Sequence, residues 1–238
     1  MINVVACHYR LPEHRLLNFI KWNTELFVKF GVTLHLVSDV PREGLPDWVK
    51  VHIYPRALAV YSPAKVSNFG IRQAGQGIVC KTDIDCVFSE RALQEISSVT
   101  IGNGIYFSYL MCKNYETKHI HQRWGSTCGT MALQFADWDR LCGYDERLDG
   151  YGIEDGDGMA RARAFCKVPR SNADVFHISH NSAELWSQTN VCLRRDLWNR
   201  KDGFCPDRHT ANRKIRDECP KWSNPEWGKG IDVEVHAR

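Results

Sequence analysis

Apolar and polar positions in the first half of the chain alternate between a strand-like and a helix-like period. Val4-Val5-Ala6 is a short apolar run that reads as a first strand starting at the beginning of the chain. Pro12 then opens a helix, at a position where its missing N–H costs nothing. Leu16, Phe19, Ile20, Leu26, Phe27 and Phe30 recur at three- and four-residue steps and form one wide apolar stripe, which Gly31 ends. Residues 32–37 and 49–53 have strand composition, flanked by Pro, Gly or Asp. A second helix is predicted over 65–74, with Gly75-Gln76-Gly77 as its punctuation. Residues 78–83 follow as a strand whose carboxyl end delivers Asp83 and Asp85. Such alternation predicts crossovers and an α/β fold, a mostly parallel central sheet flanked by helices. Ligands of such sheets sit beyond the carboxyl ends of the strands, which is where the two aspartates fall.

The second half is less regular. Residues 105–110 read as another strand, and 154–165 as a helix whose acidic first turn suits the helix dipole. From Asn190 onward the chain is rich in Trp, Arg, Pro and Asp without a clear period, so 186–238 is read as an irregular C-terminal extension. The 238 residues fit one mixed domain, and 43% hydrophobic with 25% charged residues is ordinary for a globular core. A net charge of +3 is too mild to imply nucleic-acid binding by itself. No stretch approaches the roughly 18 apolar residues of a membrane span, and no basic then apolar leader opens the sequence, so a cytoplasmic location is expected. In that compartment the ten cysteines are expected to be free, buried thiols. Cys192, Cys205, His209 and Cys219 match no standard zinc spacing.

Three groups of residues carry candidate chemistry. In Thr82-Asp83-Ile84-Asp85, two carboxylates at a strand end lie on one side of a turn. They can share a hard divalent cation that leaves sites open for phosphate oxygens; a solvated, capping turn is the plain alternative. In Gly150-Tyr151-Gly152-Ile153-Glu154-Asp155-Gly156-Asp157, glycines let backbone approach a ligand and present Glu154-Asp155 at a helix start. A carboxylate there can accept a proton from a substrate hydroxyl. The alternative is a charge-stabilised first turn, although Gly156 and Gly158 are poor helix residues. In His177-Ile178-Ser179-His180, two imidazoles near a strand end are either hydrogen-bonded structural residues or further metal ligands, which would favour manganese over magnesium.

Taken together, these segments resemble the GT-A glycosyltransferases, closest to β-1,4-galactosyltransferase-like and bacterial glycosyltransferase-2-like inverting enzymes. The resemblance covers about residues 2 to 181. It rests on Val4-Val5-Ala6-Cys7-His8-Tyr9-Arg10, on the helix segment Lys65-Val66-Ser67-Asn68-Phe69-Gly70-Ile71-Arg72, on Asp83-Ile84-Asp85, and on the block from Gly129-Thr130 through Trp138, Gly143-Tyr144-Asp145-Glu146 and Gly152-Ile153-Glu154-Asp155. It implies a single GT-A domain, with a nucleotide-sugar half over 1–90, an acceptor-side half over 91–185, and the extension beyond. It also implies metal held by Asp83 and Asp85, Asp85 the more direct ligand, with His180 and His177. The implied donor residues are Tyr9, Arg10, Asn68, Arg72, Lys81 and Asp83, for a nucleoside-diphosphate sugar such as a UDP-sugar. Asp155 falls at the place of the catalytic base and Glu154 at a sugar-contacting position, with Tyr151, Gly152 and Asp157 on the acceptor side. Two departures stand out: His8 replaces a common proline, and Gly156 interrupts a longer acidic run.

The resemblance thus implies a metal-dependent, inverting glycosyltransferase using Mn2+, or Mg2+, and an acceptor that is a glycan or small molecule. Two rivals remain. A nucleotidyltransferase would need a glycine-bearing phosphate loop, which Cys7-His8-Tyr9-Arg10-Leu11-Pro12 lacks. A non-catalytic nucleotide-sugar-binding protein would not need both acidic motifs. The tail sets Arg194-Arg195, Arg200-Lys201, Arg208, Arg213-Lys214 and Arg216 among Asp196, Asp202, Asp207 and Asp217. It reads as a salt-bridged surface, or as a phosphate-tracking patch for a nucleic-acid acceptor.

Overall fold

In the computed structural model the described residues are 1–9, 11–55, 58, 62–112, 120–123, 129–148, 153–178, 213 and 224–230. The chain runs β1 (Ile2–His8), α1 (Glu13–Lys29), β2 (Val32–Ser38), β3 (Val49–Ile53), α2 (Pro63–Ala74), β4 (Ile78–Thr82), β5 (Cys86–Phe88) and α3 (Glu90–Ser97). It continues with β6 (Ile105–Tyr106), β7 (Tyr109–Cys112), β8 (Ile120–Arg123), β9 (Met131–Gln134), α4 (Phe135–Leu141), α5 (Glu154–Ala162) and β10 (Val175–Ile178).

Among these residues the strands form two sheets. The central one has the order β3-β2-β1-β4-β9-β6. Its first four strands are parallel, β9 runs antiparallel to β4, and β6 antiparallel to β9. The smaller sheet, β5-β10-β7-β8, stands beyond the carboxyl end of β4. The mixed α/β architecture with a mostly parallel sheet follows the hydrophobic pattern. The single strand expected over 105–110 is instead two strands in different sheets. Tyr106 pairs with Met131 of β9, whereas Tyr109 pairs with Val175 of β10, and Phe107 bridges the change by donating its N–H to the Thr130 carbonyl at 3.1 Å. Both strands are apolar and adjacent, so composition alone does not reveal the switch.

Each face of β1 builds one side of the core, as period-two alternation requires. Val4 and Ala6 pack with Leu16, Phe19 and Phe27 of α1, while Val5 packs with Ile71 of α2 and with Trp138 and Tyr144. Helix α2 begins at Pro63, earlier than its apolar period indicates, because the Ser62 hydroxyl accepts from the Lys65 N–H and Pro63 suits the first turn. It ends at Gly75, in the left-handed conformation. A Cβ on Gly70 would lie 2.6 Å from both Val5 and Val37, so glycine is what lets α2 lie against the sheet.

The C-terminal segment 224–230 returns to this core. Trp227 is 1% exposed, lies under the Arg72 guanidinium (5.0 Å to the ring centre) and donates its indole N–H to Asp139 at 3.3 Å. The Gly228 N–H donates to Glu146 at 2.8 Å, and a Cβ on Gly143 would stand 2.6 Å from the indole. All six cysteines of the described residues, Cys7, Cys80, Cys86, Cys112, Cys142 and Cys166, are free, and five of them are buried. No helix among the described residues is long and apolar enough to cross a membrane. Trp227→Ala is expected to cost about 3–5 kcal/mol of stability, as for a fully buried aromatic. Urea denaturation measures this, and a loss under about 1 kcal/mol would mean that the segment does not pack there.

Candidate active site

The site is built outward from the carboxyl end of β4. Lys81 and Thr82 are buried, and the chain then turns through Asp83-Ile84-Asp85 into β5. The Asp83 carboxylate is 41% exposed and accepts from the Lys81 ammonium at 3.2 Å and from the Tyr109 hydroxyl at 2.9 Å. Tyr109 is set by the Thr130 hydroxyl (3.2 Å), itself paired with that of Thr82 at 2.7 Å. A Cβ on Gly129 would lie 2.6 Å from Asp83 Oδ2 and 2.8 Å from Lys81 Nζ, so backbone closes directly over this pair.

Asp85 is the more enclosed of the two, its side chain 11% exposed. Arg15 Nη1 approaches Asp85 Oδ2 at 3.4 Å, and His177 Nε2 lies 3.2 Å from Oδ1. Arg15 sits on a ridge of α1 that reads Arg15, Phe19, Asn23, Phe27, all buried. The two phenylalanines join the core. The Asn23 side chain donates to the Cys86 carbonyl and accepts from the Phe88 N–H, each at 3.0 Å, and so pairs with β5 much as a strand would. Helix α1 therefore fixes the turn and the strand that follows it. Neither Arg15 nor Tyr109 belongs to a motif. The available signal was an arginine and an asparagine on a four-residue ridge with two phenylalanines, since buried polar groups on such a ridge need partners.

Helix α5 brings the second acidic pair. Asp155 Oδ1 lies 3.2 Å from Lys81 Nζ, which makes the lysine a bridge between Asp83 and Asp155. Burial works against the Lys81 charge, but Asp155 and Asp83 outweigh it and hold its pKa well above the usual lysine range. Burial raises the Asp155 carboxyl, with Lys81 opposing and Asp83 reinforcing the rise. Glu154 is 6% exposed, its Oε2 has no hydrogen-bond partner, and burial followed by the nearby Asp155 charge lifts its pKa to about 8. Ile153, just before this pair, has φ 80°, a conformation that strains a β-branched residue by about 1–3 kcal/mol. Gly158 has a packing reason: its Cβ would be 2.7 Å from the Tyr144 ring, which lies against the helix.

The other expected site residues are spread more widely. Tyr9 is buried, and its hydroxyl accepts from the Leu58 N–H at 2.9 Å. The Asn68 amide is fully engaged with the Gly143–Leu148 turn, donating to the Tyr144 carbonyl and to Glu146 (both 2.9 Å) and accepting from the Tyr144 N–H (2.7 Å). Arg72, in the last turn of α2, faces Asp139 and Trp227. Asp157 is buried and pairs with Arg161 at 2.7 Å, and Arg161 also donates to the Leu141 and Gly143 carbonyls. Arg10, Tyr151, Gly152 and His180 lie outside the described residues, as does the basic tail apart from Arg213.

Asp83, Asp85 and Cys86 offer ligand atoms that all lie within 4.8 Å of one another. Burial, then Asp83 and Asp85, holds the Cys86 thiol protonated at neutral pH, its pKa well above the ordinary value. The usable donors are therefore carboxylate oxygens beside the His177 imidazole, a set that suits Mn2+ or Mg2+.

No family model matches this chain, and neither does any curated protein sequence. Solved structures do. A variant of Drosophila β1,4-galactosyltransferase 7 in complex with manganese, UDP-Gal and xylobiose is 16% identical, with TM-score 0.55 over 82% of this chain and 77% of that one. The 1–349 portion of S. aureus TarS in complex with UDP-GlcNAc is 15% identical, with TM-score 0.55 over 75% and 58%. GalNAc-T7 with UDP, GalNAc and Mn2+ is 15% identical, with TM-score 0.56 over 97% of this chain and 54% of that one. The fold is thus the GT-A fold of glycosyltransferases.

Glu154 gives the site a pH signature. With its pKa raised to about 8 in the native state and ordinary in the unfolded chain, the native state binds the extra proton between those values. Its contribution to stability is therefore present at acid pH and is lost as pH rises through about 8. Glu154→Gln should match the wild-type Tm at pH ~5 and exceed it at pH ~8.5 in melts with EDTA. A difference of the opposite sign, or none, would refute the buried neutral acid.

Proposed function

We propose that this protein is a metal-dependent glycosyltransferase that moves a sugar from a nucleoside-diphosphate donor to an acceptor hydroxyl with inversion. The observation that carries this reading is the meeting of Asp83 and Asp155 on one lysine, beyond the carboxyl end of β4. In this reading Asp83 is the metal-side acid and Asp155 the base-side acid, and Lys81 holds the two at a fixed separation. The similar structures hold UDP, UDP-Gal or UDP-GlcNAc, and two of them hold manganese. Mn2+, with Mg2+ as second choice, and a UDP-sugar are accordingly the proposed cofactor and donor.

Asp83 and Asp85 would hold the cation, with His177 against Asp85. The bound cation would neutralise charge that develops on the departing nucleoside diphosphate. Asp155 is the proposed general base. It accepts the acceptor's hydroxyl proton while the oxygen bonds to the anomeric carbon and the bond to the diphosphate breaks. Its raised pKa brings a carboxylate nearer to the working pH, which improves it as a base. Glu154, neutral below about pH 8, has a free carboxyl edge to hydrogen-bond a sugar hydroxyl. The proposed acceptor is a glycan or a small molecule. A nucleic-acid acceptor rests on the basic tail, which apart from Arg213 lies outside the described residues.

Asp155→Asn is expected to lower transfer by about 10²–10⁴-fold while leaving donor binding intact. Near-normal turnover would remove Asp155 from the role of base. A panel of nucleotide-sugars with hydrolysis as readout should release sugar and nucleoside diphosphate; pyrophosphate would instead identify a nucleotidyltransferase. EDTA should silence the enzyme and Mn2+ restore it, whereas turnover in EDTA would sink the metal requirement. The anomeric configuration of the product, read by NMR, tests inversion.

A further inference from the structure

Lys81 lies within a strand and its side chain is 5% exposed, a placement that costs several kcal/mol unless the ammonium is compensated. The compensation comes from the protein itself. Asp83 Oδ1 and Asp155 Oδ1 each lie at 3.2 Å from Nζ, and the Tyr144 ring centre is 5.7 Å away. Gly129 closes another side, since even a methyl group there would come within 2.8 Å of Nζ. Three separate parts of the chain (the Asp83 turn, the Tyr144 turn and α5) therefore meet on one ammonium. A lysine suits the place because its charge is compact and its three N–H groups can be aimed independently.

Resting on the transferase reading above, we propose that Lys81 is a positioning residue. Its ammonium bolts the general base Asp155 to the metal-side Asp83, so the acceptor's proton path keeps one spacing from the donor. Lys81 acts through Asp155, not on the donor.

Two measurements on the full chain test this. In Lys81→Met, kcat should fall about 100-fold while the donor KM stays within about two-fold, the pattern of a lost transition-state arrangement. A raised donor KM with kcat retained would make Lys81 a donor ligand and overturn the proposal. The second measurement, thermal melting in EDTA, needs no turnover. Lys81→Met should lower Tm, and adding Asp155→Asn should restore part of that loss, because one fewer buried carboxylate then lacks its cation. Losses that simply add, or a double variant that fails to fold, overturn the link. A wild-type protein inert toward every nucleotide-sugar would remove the transferase reading, and melting alone would then decide the Lys81–Asp155 bond.

Discussion

Charge buried at the carboxyl end of β4 is the constraint on which the rest of this site depends. Asp83, Asp85, Glu154 and Asp155 crowd a region that water reaches only in part, and carboxylates so placed cannot all ionise without internal cations. Two cations answer them from different elements. Lys81 comes from β4 itself and Arg15 from the first turn of α1. Glu154 forms an ion pair with neither, and although Lys81 acts on it from a distance, burial and the Asp155 charge prevail and it keeps its proton.

That constraint propagates into the packing. Arg15 reaches Asp85 because α1 lies against the sheet through Leu16, Phe19 and Phe27, and Asn23 of the same ridge holds the backbone of β5. On the other face, α2 approaches closely enough at Gly70 for Asn68 to clasp the Tyr144 turn, whose ring then lies over Lys81 and against Gly158. The hydrogen bond from Gly228 to Glu146 ties the C-terminal segment to the same turn. The Asp83-Ile84-Asp85 turn and Asp155 are thus each backed by a separate helix, with Lys81 common to both.

Much of this was legible in the sequence. The apolar runs placed β1, β2, β3 and β4, the three- and four-residue stripe placed α1, and the strand-end position of Asp83 and Asp85 followed from the alternation. The helix start at Glu154 was readable from its acidic turn. Short elements were not. Helix α3 is eight residues long, and β5 and β9 carry few apolar positions each, so their periods are too brief to separate from loop. Nor could local pattern tell that Asn68 would be engaged with the Tyr144 turn, since that partner is 76 residues away and only the fold brings it near. The partners of Lys81 were hidden for the same reason, with Asp155 lying 74 residues on.

The charge balance also bears on the order of binding under the proposed reading. With Glu154 neutral, three carboxylates (Asp83, Asp85 and Asp155) face two cations (Lys81 and Arg15), which leaves about one negative charge near neutral pH. A nucleoside diphosphate arriving alone would meet that negative field together with carboxylates already satisfied by protein cations. A divalent ion changes the sign of the sum, and the diphosphate then enters an attractive site. In the proposed arrangement the Lys81 charge is largely balanced by Asp83 and Asp155, each 3.2 Å from its ammonium. Under the proposed reading, an external cation at Asp83 and Asp85 would then answer the charge of the phosphates.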